Sequence, residues 1–153
     1  MKKNLKKVLV FGTFDGLHKG HIYFLREAAK RGALYVVVAK DKNVLRFKRK
    51  KPVHNEKFRL NAVSKLPFVK EVMLGKDKDI YFWVRKIKPD TICLGYDQNP
   101  LKIKEKIKRL GLSTKIIRLK PYRPNVYKSS IILKTVQQKI SSRRKQNRGY
   151  VLE

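Results

Sequence analysis

Residues 7–21 read KVLVFGTFDGLHKGH. The aliphatic, β-branched run Lys7 to Phe11 has the make-up of a short buried strand, and it stops at Gly12. Beyond it, Gly12, Gly16 and Gly20 permit a tight turn and a close approach of backbone to a ligand, and His18 and His21 stand three residues apart where a helix begins. In the residues that follow, Ile22, Phe24, Leu25, Ala28 and Ala29 recur at helical spacing, and Gly32 supplies the stop. A second run, ALYVVVA from Ala33 to Ala39, repeats the strand pattern. Strand, glycine loop, helix and strand make a parallel βαβ unit. Ligands bind such sheets where strands end and helices begin, so Gly12 to His21 is the segment to examine for function.

The alternation continues along the chain. Glu56 to Leu66 has helical periodicity and ends at Pro67, Val69 to Leu74 is strand-like, and Ile80 to Ile87 is an apolar and aromatic helix halted before Pro89. Thr91 to Leu94 is a strand leading to Gly95, Pro100 to Leu110 is a basic amphipathic helix closed by Gly111, and Lys115 to Leu119 is a last strand before Pro121 and Pro124. The expected fold is α/β: a Rossmann-like, open, parallel five-stranded sheet with helices on both faces. A chain of 153 residues holds one core comfortably and two poorly, so residues 1–140 are read as one domain and residues 141–153 as a basic tail. Asp41 to Asn55 has little periodicity and carries Lys42, Arg46, Lys48, Arg49, Lys50 and Lys51; it reads as a mobile basic loop able to close over a substrate.

Composition narrows the partners. Lys and Arg number 40 against 11 Asp and Glu, a net charge of +29, which attracts polyanions. That phosphate can belong to a nucleotide, to nucleic acid or to a membrane surface. No apolar run approaches the roughly 20 residues of a membrane span, the start MKKNLKK leads into too short an apolar run for an export signal, and the lone Cys93 cannot form an internal disulfide. A cytoplasmic protein is expected. The basic residues are spread through every helix and the aromatic residues lie mostly in apolar segments, without an interleaved stacking surface, so nucleic acid is a secondary partner.

The histidine pair carries the chemistry. At a helix N-terminus, a phosphate meets unpaired N–H groups and two imidazoles, an arrangement suited to stabilising the charge that grows as a phosphorus centre is attacked. For an arbitrary HxxH, capping or surface histidines are the commoner reading. A structural zinc site needs about four N/S ligands and only His54 and Cys93 remain, so no protein-held metal is expected. The strand before the pair, the glycines within and the helix after favour phosphate chemistry.

GTFDGLHKGH resembles the signature of the HxGH nucleotidyltransferase (cytidylyltransferase-like) superfamily, which includes glycerol-phosphate cytidylyltransferases, phosphopantetheine adenylyltransferases and archaeal-type FAD synthases. AKD at Ala39 to Asp41, LGYDQ at Leu94 to Gln98 and SSII at Ser129 to Ile132 extend the resemblance over residues 8 to 135, and LGYDQ in a compact chain looks most like the archaeal-type FAD synthases. The resemblance implies joining of FMN to the AMP of ATP with release of pyrophosphate, Mg²⁺ travelling with the triphosphate, and a homodimer. It gives Gly12, Thr13 and Phe14 contacts to the nucleotide phosphates, and makes His18 and His21 binders of the triphosphate and stabilisers of the transition state. Gly95 and Asp97 would line the nucleotide pocket, and Ser129 and Ser130 would hold the β- or γ-phosphate. Asp41 would sit near the acceptor, Arg59 would hold acceptor or triphosphate, and Lys48 and Lys51 would neutralise charge, with Lys50 able to replace either. Tyr81, Phe82 and Trp83 suit a core or dimer surface, with stacking on a flavin ring as the other reading. Cys93 reads as buried and inert; relatives of the archaeal type carry further cysteines near the C-terminus, so no redox role is transferred. Other phosphate acceptors, such as glycerol 3-phosphate with CTP, are the alternative within this chemistry, and a non-catalytic nucleic-acid-binding module is the alternative outside it.

Overall fold

The structure is a computed structural model and describes residues 5–96 and 98–121. Five strands, β1 (Lys7–Gly12), β2 (Ala33–Val38), β3 (Glu71–Leu74), β4 (Thr91–Leu94) and β5 (Lys115–Arg118), pair in the order β3-β2-β1-β4-β5. All pairings are parallel; Val8 lies opposite Leu34 on one side and Thr91 on the other. The expected five-stranded parallel sheet is therefore present, and each strand overlaps its expected run.

Side chains of successive strand residues point to opposite faces, which divides the core in two. Val8, Val10, Leu34, Val36, Val38 and Cys93 pack with Leu25 and Ala28 of α1 (Lys19–Ala29) and Val63 of α3 (Glu56–Ser64). Leu9, Val37, Met73, Ile92 and Leu94 pack on the other face with Val84 of α4 (Phe82–Ile87) and Ile107 of α5 (Pro100–Arg109). The β1–β2 and β2–β3 crossovers thus cover one face, and the β3–β4 and β4–β5 crossovers the other. The order reverses between β1 and β4, which opens a crevice at the C-terminal ends of those strands.

Local chemistry sets the helix ends. Asn55 accepts from the Phe58 N–H at 2.8 Å and caps α3; Asn99 does the same for α5 from Leu101 at 2.9 Å, with Pro100 in the first turn. Gly32 has φ +153°, and a Cβ there would lie 2.2 Å from the Lys6 carbonyl oxygen, so the turn from α1 into β2 requires glycine.

One expectation is corrected. Asp41 to Asn55 is not a loop throughout: its first eight residues form α2 (Asp41–Lys48), closed by Arg49 in the left-handed conformation at φ 53°. Only two of its residues, Asn43 and Val44, are buried, so the helix has almost no apolar face for a periodicity to reveal. The proposed boundary at residue 140, the tail from residue 141, Asp97, Ser129 and Ser130 lie outside the described residues.

Candidate active site

At the C-terminal edge of the sheet lies a cavity of about 760 Å³. Its centre is the β1–α1 segment, with Gly12, Thr13, Phe14, Asp15, His18 and His21, and the segments after the other four strands complete its walls: Phe47, Lys48, Lys50 and Lys51 from α2 and the residues after it, Lys76 and Tyr81 after β3, Gly95, Tyr96 and Gln98 after β4, and Lys120 after β5.

His18 is the N-cap of α1. Its Nδ1 accepts from Gly20 N–H at 3.0 Å and from His21 N–H at 3.4 Å, and His21 Nδ1 accepts in return from His18 N–H at 3.3 Å. This reciprocal arrangement is a capping box built from imidazoles. Because each Nδ1 accepts, each neutral ring carries its proton on Nε2. The rings stack with centroids 3.8 Å apart and planes 23° apart. Burial lowers the His18 pKa from its ordinary 6.5. Burial also dominates at His21, and with repulsion from His18 and Lys48 it carries that pKa down to about 3, while Asp15 and a hydrogen bond to the Gly16 backbone pull the other way. Both rings are thus neutral near pH 7. The capping reading and the phosphate reading of the pair are compatible: the cap orients the rings.

Phe14 is 4% exposed and has φ 53°, a conformation rare for an aromatic residue. Its ring meets that of His21 edge-on, with centroids 5.5 Å apart. A Cβ on Gly12 would stand 2.6 Å from the Phe14 ring; Gly12 is required to make room for that ring, which then walls in His21.

Asp15, 7% exposed, ties this loop to the far side of the basic segment. Its carboxylate accepts from Val53 N–H at 2.7 Å and His54 N–H at 3.0 Å, and lies 2.9 Å from His54 Nδ1. Burial alone would raise the Asp15 pKa; the hydrogen bonds from His54 and Val53 outweigh it and hold the carboxyl below its ordinary value. Asp15 stands inside the quoted motif, yet the sequence gives no sign that its partners are 38 and 39 residues away.

Two expected contacts take another form. Arg59 is completely buried, and its guanidinium donates to the carbonyls of His54 at 2.9 Å and Thr13 at 2.8 Å and to Asp41 Oδ1 at 2.7 Å. It braces the site from behind instead of reaching into the cavity. Asp41, expected near the acceptor, is Arg59's partner, and its other oxygen accepts from Glu56 N–H at 3.2 Å at the start of α3. An arginine this deep is stable because each donor group has a partner. Lys48, Lys50 and Lys51 all line the cavity, as do Lys76 and Lys120, which sequence reasoning did not single out. Gly95 lines it too, its N–H held by Gln98 Oε1 at 2.9 Å, and Arg118 donates to the Tyr96 carbonyl to fix the same turn. Of the aromatic trio, Tyr81 lines the cavity, whereas Trp83 packs in the core and donates to the Leu74 carbonyl at 2.7 Å. Cys93 is buried, and burial raises its thiol pKa. Among the described residues no three His, Cys, Asp or Glu side chains gather as a metal site, and no helix is long and apolar enough to cross a membrane.

Comparison with known proteins agrees with this geometry. Residues 9–142 match the cytidylyltransferase-like family. The chain is 40% identical over 141 residues, 90% of each chain, to the FAD synthase of Archaeoglobus profundus, and 39% identical to the FAD synthase of Thermoplasma volcanium over 90% of this chain and 98% of that one. A crystal structure described as a lipopolysaccharide core biosynthesis protein from Thermoplasma volcanium superposes with a TM-score of 0.72 at 40% identity, covering 77% of this chain and 98% of that one. At 18% identity and a TM-score of 0.53, a pantoate-β-alanine ligase from Francisella tularensis, covered over 76% of its chain and 99% of this one, shares the fold. With the family match spanning most of the sequence and relatives about 40% identical along nearly their whole length, this chain belongs to the cytidylyltransferase-like family.

Proposed function

We propose that the protein is an FAD synthase, transferring AMP from ATP to the phosphate of FMN. A phosphate oxygen of FMN attacks the α-phosphorus of ATP in line, the new P–O bond forms as the bond to the β-phosphate breaks, and pyrophosphate leaves. The acceptor phosphate is already anionic near pH 7, so no general base is required, and catalysis is positioning and charge stabilisation. The observation that carries the reading is the stacked pair His18 and His21, neutral and with Nε2 protonated, at the N-terminus of α1 in a cavity also lined by lysines. Its support from relatives is the recurrence of FAD synthases among them.

In this reading His18 and His21 bind the triphosphate, His21 exchanging its hydrogen bond to the Gly16 backbone for a phosphate oxygen as the substrate enters, and Lys48, Lys50 and Lys51 neutralise the charge that accumulates. Gly12 and Thr13 let the phosphates approach the backbone. Gly95, with Asp97, lines the nucleoside pocket, and Ser129 and Ser130 hold the outer phosphates. Arg59 and Asp41 act by holding the β1–α1 loop against α2 and α3. Mg²⁺ fits as an ion carried by the triphosphate: among the described cavity residues the sole carboxylate is Asp15, and its oxygens are occupied by Val53 and His54. Bound there, Mg²⁺ would offset phosphate charge and favour departure of pyrophosphate. We place the activity in the cytoplasm, in a homodimer.

The test is pyrophosphate release by purified protein with Mg²⁺, crossing ATP and CTP against FMN, glycerol 3-phosphate and phosphopantetheine. Release with ATP and FMN alone, with FAD formed, is the expected result. Release with a different pair reassigns the acceptor, and silence throughout from folded protein rejects catalysis.

A further inference from the structure

The cavity is too apolar for phosphates alone. Four of the eight large apolar side chains exposed among the described residues, Tyr23, Phe47, Val53 and Ile80, line this one hollow. Exposed apolar side chains gathered at one place mark a surface that a ligand or partner covers. Phe47 and Ile80 stand out: they are 67% and 44% exposed, and they belong to different elements, Phe47 to α2 after β2 and Ile80 to the connection between β3 and α4.

Their position in the sheet says which substrate they serve. Adenosine, pyrophosphate and the entering acceptor all diverge from one phosphorus atom, so the acceptor's rings cannot share the adenosine lobe. The nucleoside belongs in the crevice between β1 and β4, where the strand order reverses, beside Gly95, Tyr96 and Gln98. Phe47 and Ile80 follow β2 and β3, which lie on the other side of β1. Phe47 also immediately precedes Lys48, whose charge acts on His21. A ligand with a flat apolar ring at one end and a phosphate at the other can therefore rest its ring on this side while its phosphate reaches the lysine and histidines.

We propose that Phe47 and Ile80 form the contact surface for the isoalloxazine ring of FMN and determine selectivity for a flavin acceptor. This rests on the FAD synthase reading and goes beyond it by naming the residues that distinguish flavin from a ringless phosphate. Aromatic contact with a flat heterocycle is typically worth about ten- to a hundredfold in affinity.

The experiment compares wild type, Phe47→Ala, Phe47→Trp and Ile80→Ala in FMN binding, followed by quenching of flavin fluorescence, and in steady-state FAD formation with each substrate varied. Because both side chains are exposed, all variants should melt within a few degrees of wild type. The expected result is at least a tenfold loss of FMN affinity in Phe47→Ala, a smaller loss in Ile80→Ala, an unchanged KM for ATP, and recovery of affinity in Phe47→Trp. A rise in the KM for ATP instead, with FMN affinity untouched, assigns Phe47 to the adenine and overturns the proposal. Normal FMN affinity and KM in Phe47→Ala, in a wild type that makes FAD, overturns it while leaving FAD synthesis standing. A wild type that neither binds nor consumes FMN removes the FAD synthase reading and this proposal with it.

Discussion

The Asp15 carboxylate receives the backbone N–H of His54 at 3.0 Å and lies 2.9 Å from that residue's ring Nδ1, joining the loop after β1 to the segment after α2 across 39 positions of sequence. A carboxylate can only accept, so His54 Nδ1 carries the proton in this contact. The same carboxylate takes the Val53 N–H. Lys48 to Lys51 are therefore anchored at one end by α2 and at the other by Asp15.

Replacing that carboxylate should loosen the lysines and destabilise the chain. Asp15→Ala leaves the Val53 and His54 N–H groups without their acceptor, and a cost of about 2–4 kcal/mol is expected, with Asp15→Asn intermediate. Urea unfolding measures the first effect. The KM for ATP, expected to rise more than kcat falls, measures the second; an unaltered KM in a folded variant would show that the anchoring is unimportant for the substrate.

His18→Ala and His21→Ala should each lower turnover on the order of 10²–10³-fold, the usual loss for one charge-stabilising donor, while far-UV circular dichroism stays unchanged. His18 also caps α1 through Gly20 and His21 N–H, so His18→Ala carries an additional cost of about 1 kcal/mol. His18→Asn, which keeps a capping acceptor, should regain the stability and not the rate. Near-normal turnover in either alanine variant would remove the pair from the mechanism.

The burial of His21 makes stability depend on pH in a defined direction. Its native pKa, about 3, is below the ordinary 6.5. Between those values the unfolded chain takes up a proton that the native state refuses. The stabilising contribution is therefore complete above pH 6.5 and is lost as pH falls towards 3, at about 1.4 kcal/mol per pH unit. His18 is displaced in the same direction by burial. The depressed Asp15 acts lower, its contribution fading only as pH drops below the ordinary 3.8. Unfolding free energies at pH 7 and pH 5 should differ more in wild type than in His21→Asn; equal differences would mean that His21 is not held neutral.

Arg59→Met should be among the most destabilising single substitutions in the described chain. It removes a fully buried cation and leaves Asp41 and the Thr13 and His54 carbonyls without their partner. Breaking a buried pair in this way costs about 3–5 kcal/mol. Calorimetry should record a lowered Tm. Added pyrophosphate should recover part of the loss through binding to the native state.

Gly12→Ala tests the wall behind His21. The new Cβ would meet the Phe14 ring at 2.6 Å, so the ring must move, at about 1–3 kcal/mol, and the edge-on contact with His21 moves with it. Turnover is expected to fall with stability, and kcat measured beside urea unfolding of Gly12→Ala checks both.

The sequence by itself determined the scaffold and the position of its chemistry. Aliphatic runs such as Val8 to Val10 and Val36 to Val38 can be satisfied only by burial, and alternation of such runs with helical periodicity admits a parallel sheet. Glycines beside a histidine pair at a strand-to-helix junction locate the phosphate site, because both the turn and the start of the helix are local properties. Tertiary structure alone decided the rest. Helix α2 was illegible because Leu45 and Phe47 are exposed and its helical form rests on few buried residues. The pairing of Arg59 with Asp41 and Thr13, the pairing of Asp15 with His54, and the placing of Phe47 and Ile80 on one side of β1 depend on residues 18 to 46 positions apart meeting in space. Local propensity and periodicity act over a turn or a strand; hydrogen bonds and desolvation act over ångströms, whatever the separation along the chain, and they set the charge state and the walls of the site.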